Sequence, residues 1–241
     1  MNLFYVDNIQ ADTAQLSETE SRHCIKAMRM RQGDRIQLCD GNGHLYTGII
    51  VDDNPKGCLL SLQDKKVMPP AFPYQLHIAV AATKNADRIE WFVEKAVEIG
   101  ITEISCICCV RSERTHINTE RFERLITSAM KQSLHYHRPA FHAPVQVTAL
   151  MRQYAARTDW QRFIAYCGEE SSVKELQAVA EAGKNSLVLI GPEGDFEETE
   201  VQTAIQCGFQ TVTLGNMRLR TETAALVACC QLHFINNRHS K

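Results

Sequence analysis

From residue 74 onward the chain alternates short apolar runs with amphipathic stretches, and that rhythm constrains the fold more than any other feature. "QLHIAVAA", "EISCICCV", "RFIAYC", "SLVLIG" and "TVTLG" read as strands. Between the first two, "ADRIEWFVEKAVEIG" sets Ile89, Phe92, Val93, Ala96 and Val97 on one helical stripe, with Gly100 as its stop. "TERFERLITSAMKQS" does the same through Phe122, Leu125, Ile126, Ala129 and Met130. Such alternation predicts an α/β domain built on a mostly parallel sheet. "TETAALVACCQLHFIN" reads as a closing helix with no clean polar face, either a central core helix or one packed partly on a second subunit.

Upstream the rhythm is different. "NLFYV", "RIQLCD", "HLYTGIIV" and "GCLLSLQ" read as short strands, with "DGNG" as a hairpin turn. One helix, around Glu18 to Met30, interrupts them. This predicts a small barrel or curled sheet over residues 1–68. "DKKVMPPAFP", residues 64 to 73, is charged and then proline-rich and reads as the linker to a second domain over 74–241.

Bulk properties exclude several classes. No apolar run approaches the roughly 20 residues of a membrane span. The start, "MNLFYVDNIQ", has no basic region ahead of an apolar core, so the expected location is the cytoplasm. The ten cysteines sit mostly in apolar segments. Cys106 and Cys109 form a C-x-x-C without a second pair at zinc-finger spacing, so buried free thiols are expected. The histidines of "HYHRPAFH" (His135, His137, His142) lack a nearby carboxylate or cysteine partner, and no metal is expected. The formal net charge of −2 leaves room for RNA only at local basic patches.

Ligands of open α/β sheets sit outside the carboxyl ends of strands. Three such ends carry a glycine: "AYCGEE", "LIGPEGD" and "TLGNMRLRTETA". The chain has no P-loop lysine motif, no Rossmann glycine fingerprint and no nucleophile elbow. Glu193, Asp195, Glu197 and Glu198 would repel phosphates, so an uncharged or cationic ligand fits the second loop better. Asp195 with Glu198 also reads as a capping box opening a helix over 196–206. Three basic groupings stand out: Arg22, Lys26 and Arg29 on one face of the first helix, Arg111 and Arg114 after a strand, and Arg218 and Arg220 in the last loop.

The pair "IGPEGDF" and "LGNMRLRTETA" resembles the two signature loops of the ribosomal RNA small subunit methyltransferase E family. These are bacterial 16S rRNA uridine-N3 methyltransferases of the SPOUT (α/β trefoil-knot) superfamily. The resemblance runs the whole chain. It includes "RHCIKAMRMRQGDRIQLCDGNG", Lys84, Lys95, Glu98 and Gly100 of a K…K-x-x-E-x-G helix, "RSERT", and Gln132, Ser133 and Pro139. Four positions depart from the pattern: Asp195 and Met217 replace a glycine and an arginine, Arg218 an aliphatic residue, and His135 an arginine.

The resemblance implies an N-terminal PUA-like β-barrel and a C-terminal trefoil-knot domain that binds S-adenosylmethionine and forms a homodimer. On that basis Ile190, Gly191, Glu193, Gly194, Leu214, Gly215, Asn216, Leu219 and Ala224 would enclose the cofactor. Arg220 would act on the uracil, with Glu222 and Thr223 holding its loop. Arg22, Lys26, Arg29, Lys84, Arg111 and Arg114 would meet RNA of the small ribosomal subunit. A non-catalytic RNA-binding protein and an enzyme for another RNA nucleoside are the alternatives.

Overall fold

The computed structural model of the chain describes residues 3–167 and 173–237. By their contacts these group into two compact units: Met1–Ala71 with Thr127–Arg138, and Phe72–Ile126 with Pro139–Lys241.

The first unit is built on six strands: β1 (Leu3–Tyr5), β2 (Asn8–Gln10), β3 (Thr13–Gln15), β4 (Arg35–Cys39), β5 (His44–Asp52) and β6 (Leu59–Val67). They form one sheet in the order β1-β4-β5-β6-β3-β2. Phe4, Leu16, Cys24, Ile25, Leu38, Ile50, Cys58 and Leu60 fill its core. The 64–73 segment expected as a linker starts inside β6, which runs on to Val67 in register with β5. The glycines of the "DGNG" turn let another segment approach closely. Gly41 accepts the N–H of Arg138, and Gly43 donates to Tyr136 and accepts from Met68.

The helix expected over Glu18–Met30 is shorter and changes type. α1 (Glu18–Arg22) is capped by Ser17, and a π-helical turn follows over His23–Ala27. The wider turn, closed by the Met28 N–H on the His23 carbonyl, keeps Cys24 and Ile25 in the core. Arg29 then adopts a left-handed conformation (φ 59°) and lies outside any helix.

The second unit alternates as its sequence predicts. It comprises β7 (Leu76–Ala81), α2 (Ala86–Ile99), β8 (Glu103–Cys108), the first part of α3 (Thr119–Gln132, of which Thr127 onward belongs to the first unit), β9 (Ala140–Gln146), α4 (Val147–Ala155) and β10 (Trp160–Ala165). It continues with β11 (Lys174–Glu175), α5 (Leu176–Val179), β12 (Asn185–Ile190), α6 (Glu198–Gln206), β13 (Gln210–Thr213) and α7 (Thr221–Asn237). The seven strands form one parallel sheet in the order β11-β13-β10-β12-β7-β8-β9. β7 and β12, buried along their lengths, lie side by side at its centre. The α2 stripe is buried as the 3.6-residue period requires, and Gly100 ends the helix in a left-handed conformation (φ 101°).

At the amino end of this sheet, His77 is 1% exposed. Its Nδ1 lies 2.8 Å from the Tyr154 hydroxyl and its Nε2 2.8 Å from Ser105 Oγ. Burial, reinforced by His142 and Arg157, pushes its pKa down to about 3, so the ring is neutral. His142, which has no carboxylate near it in the sequence, pairs with Glu103 at 2.7 Å because β8 and β9 lie side by side.

α7 packs on β7, β12 and α2. Its buried stripe is Ala225, Ala228, Cys229, Leu232 and Asn236. Leu226, Val227 and Cys230 are only half-buried and Phe234 is 60% exposed, so within one chain the helix is not enclosed. Cys24, Cys39, Cys58, Cys106, Cys108, Cys109 and Cys229 are buried free thiols, as expected of small apolar packers, whereas Cys167 is exposed.

Candidate active site

Because every strand pair in the second sheet is parallel, the loops after β7, β8, β10, β12 and β13 all emerge at one edge. β12 sits between β7 and β10, yet the chain leaves β7 for β8 and β12 for β13. That reversal opens a crevice at the carboxyl ends of the two central strands.

The loop after β12 forms one wall. Gly191 is buried, and a Cβ there would sit 3.1 Å from the Phe196 ring and 3.3 Å from Asp195 Oδ1. Only a glycine brings backbone this close. Pro192 O accepts the Asp195 N–H at 2.9 Å, closing a turn through Glu193 and Gly194. Glu193 Oε1 accepts the Lys84 N–H at 3.4 Å from the loop after β7. Arg111, in the loop after β8, donates to Gly194 O at 2.9 Å and approaches Glu197 at 3.5 Å.

The capping box lies two residues later than the sequence indicates. Glu197, not Asp195, is the N-cap, and it exchanges bonds with Glu200 rather than Glu198. α6 therefore begins at Glu198. The reason is Phe196, which is 1% exposed: burying its ring draws the chain inward before the helix can start. Asp195 is left in a left-handed conformation (φ 61°) outside the helix.

The loop after β13 forms the opposite wall. Gly215 (φ 125°) makes its turn, and Gln231 donates to Leu214 O at 3.4 Å. Asn216, Met217, Arg218 and Arg220 are exposed and Leu219 is half-buried. The departure at 217 thus places a methionine 80% exposed in this loop. Thr221 fastens the two walls together: its hydroxyl donates to Gly191 O at 3.1 Å. Arg220 O accepts the Ala224 N–H, which opens α7. Thr223 and Ala224 are half-buried in that first turn.

Two side chains there bear on the chemistry. The Arg220 guanidinium has no side-chain partner among the described residues. Glu222 is 7% exposed, with Oε1 3.9 Å from Arg88 Nε and Oε2 buried without a hydrogen bond. A buried carboxylate oxygen calls for a donor. Arg88 carries no motif signal and was not singled out in the sequence.

Of the other basic residues, Lys84 pairs with Glu113 at 3.1 Å on the surface, and Arg114 donates to His116 O. In the first unit Arg22 pairs with Glu18 at 2.6 Å, while Lys26 and Arg29 are exposed. Arg35 and Lys66, not picked out in the sequence, line an open cleft of about 470 Å³ on that unit together with Gln37, Thr47 and Asp64. Gly168, the third strand-end glycine, lies outside the described residues, as do Glu169 and Glu170.

Among the described residues, nothing at the crevice is built as an acid–base pair or a nucleophile. Burial and Asp195 raise the Cys167 thiol, which disfavours the thiolate. The arrangement offers close backbone, small apolar walls and, among the described residues, cations at Arg218 and Arg220 without an ion-pair partner, which suits transfer between two held substrates.

An RNA methyltransferase domain model matches residues 70–233, and an RNA methyltransferase PUA domain model matches residues 16–63. The chain is similar to the crystal structure of a probable rRNA-methyltransferase from Porphyromonas gingivalis, with a TM-score of 0.92 and 36% identity over 99% of this chain and 100% of that one. It is 27% identical to ribosomal RNA small subunit methyltransferase E of Mesomycoplasma hyopneumoniae, covering 94% of this chain and 96% of that protein. A Neisseria gonorrhoeae ribosomal RNA small subunit methyltransferase E bound to S-adenosyl methionine shares the fold, with a TM-score of 0.83 and 23% identity over 98% of each chain.

Proposed function

The chain belongs to the ribosomal RNA small subunit methyltransferase E family, and on that premise we propose that it methylates N3 of one uridine in 16S rRNA, using S-adenosylmethionine. The observation that carries this reading is the Thr221–Gly191 bond, which draws both glycine loops together at the residue that follows Arg220.

The residues present fit the cofactor. No lysine projects from the Gly191–Gly194 turn, and the methyl donor has no phosphate to hold. Gly191 allows backbone to come close, and the neighbouring carboxylates suit a cation. Ile190, Gly191, Gly194, Leu214, Gly215, Asn216, Leu219 and Ala224 would enclose it, with Glu193 shaping the turn. When bound, S-adenosylmethionine supplies an electrophilic methyl group on a sulfonium.

The protein's own residues must then prepare the acceptor. N3 lies on the Watson–Crick edge, so the base has to be unpaired or flipped out. N3 must also lose its proton, which leaves negative charge shared with the uracil oxygens. The exposed Arg220 guanidinium stabilises that charge as it develops. Glu222 and Thr223, in the first turn of α7, hold the arginine's loop.

The first unit positions RNA through its exposed cations, Lys26 and Arg29 foremost, with Arg22 beside them; Lys84, Arg111 and Arg114, in the loops after β7 and β8, would add to this. Contacts of this kind orient without reading sequence. The half-exposed face of α7 supports a homodimer. Light scattering should then give about twice the 27.2 kDa chain mass. The family likeness also supports a trefoil path for the last segment and work in the cytoplasm, where small ribosomal subunits are made.

The test is to map 3-methyluridine in 16S rRNA from cells with and without the gene, then restore it with the purified protein and S-adenosylmethionine. One uridine should lose its mark and regain it. RNA binding without methylation would make the protein a non-catalytic binder. A restored mark on another nucleoside would move it to a different substrate.

A further inference from the structure

Asp195 occupies a backbone conformation that glycine adopts freely and other residues adopt at a cost. A side chain kept at such a position needs an offsetting interaction, and Asp195 has two. Its Oδ2 accepts the Cys167 N–H at 3.0 Å, across from the loop after β10. Its Oδ1 accepts the Phe196 N–H at 2.8 Å and lies over Gly191. Gly191 in turn is fastened to Thr221. A continuous set of contacts thus runs from the β10 loop through Asp195 to the β12 loop and on to the start of α7.

We infer that Asp195 is a positioning residue for the methyl donor: its carboxylate fixes the spacing between the β10 and β12 loops and so sets how tightly the donor is held. This rests on reading these loops as the donor pocket. Both bonds are charge-assisted, and the left-handed backbone points the two oxygens at different loops. Asparagine tolerates the same conformation but offers one acceptor oxygen in place of two. Glycine keeps the backbone and removes the clamp.

The experiment compares Asp195→Asn and Asp195→Gly with the unaltered protein. Calorimetry gives the affinity for S-adenosylmethionine. Methyl transfer to small ribosomal subunits lacking the mark gives KM for the donor and kcat. Asp195→Gly should raise KM and the dissociation constant about ten-fold, with kcat within two-fold, and Asp195→Asn should fall between. The melting midpoint should move little, because glycine relieves backbone strain while loosening the unfolded chain. A glycine variant with unaltered KM, or one that loses kcat at constant KM, overturns the clamp alone. An unaltered protein that binds no S-adenosylmethionine overturns the clamp and the proposed function together.

Discussion

Arg111 donates one guanidinium N–H to the carbonyl oxygen of Gly194, 2.9 Å away, and so ties the loop after β8 to the turn after β12. In the sequence Arg111 reads as an RNA contact; its hydrogen bonds also give it work inside the protein, while its side chain stays 46% exposed. Arg111→Met should raise KM for the methyl donor several-fold and leave the salt dependence of RNA binding unchanged. The double variant Lys26→Ala, Arg29→Ala should do the reverse, flattening the salt dependence by about two phosphate contacts. A flattened slope for Arg111→Met would return that residue to the RNA interface.

Among the described residues Arg220 has no side-chain partner, and Glu222, two residues on, has one carboxylate oxygen buried without a hydrogen bond. Arg220→Ala should lower kcat about 100-fold, the scale of losing one donor to a developing anion, with donor affinity within two-fold. Single-turnover transfer and calorimetry separate the two effects. Glu222→Gln keeps the shape and adds a donor, and should lower kcat less than Arg220→Ala.

His77 gives a pH dependence of known sign. Its folded pKa, about 3, lies below the usual 6.5, so between those values the unfolded chain binds the extra proton. Stability from the neutral, buried ring is therefore complete above pH 6.5 and declines as pH falls toward 3. By pH 5 the loss is about 2 kcal/mol. Tyr154, Ser105, His142 and Arg157 surround the ring; Glu103 Oε1, 3.6 Å from Nδ1, faces it as an anion, but burial with His142 and Arg157 outweighs that attraction. His77→Asn should be less stable at pH 7.5, and the gap to the unaltered protein should close by pH 5. Urea unfolding at a series of pH values reads this directly.

Gly43 and Gly33 make a matched pair in the first unit. Both have positive φ, 84° and 92°. A Cβ on Gly43 would run into the His137 ring, whereas one on Gly33 meets nothing within 4 Å. Gly33→Ala should cost only the left-handed backbone, about 1 kcal/mol. Gly43→Ala should cost about 3 kcal/mol, since the ring must move and release Met68 O. Chemical denaturation of the two variants tests the difference.

The second unit was legible because its elements obey local periods. The α2 stripe and its Gly100 stop lie where the sequence puts them, and the buried strands read as apolar runs. The first unit was less so. β2 and β3 are three residues each and too short to show a period. The π-helical turn at His23 is decided by packing of Cys24 and Ile25, not by propensity. At the site, the glycines and Arg220 carry recognisable patterns. Arg88 and the reach of Asp195 to Cys167 do not, because they join residues far apart in the chain. The helix cap was misplaced for a related reason: the burial of Phe196 outweighs the local cap signal at Asp195.

The buried cysteines give each unit its own clock. Cys24, Cys39 and Cys58 lie in the interior of the first, and Cys106, Cys109 and Cys229 in that of the second. Burial raises Cys39 and Cys106 to about 12, so neither reacts while its surroundings stay closed. An alkylating reagent can mark them only during an opening, and the rate of marking counts openings. The natural sequence thus reports, thiol by thiol, whether RNA or methyl donor quiets one half of the molecule or both.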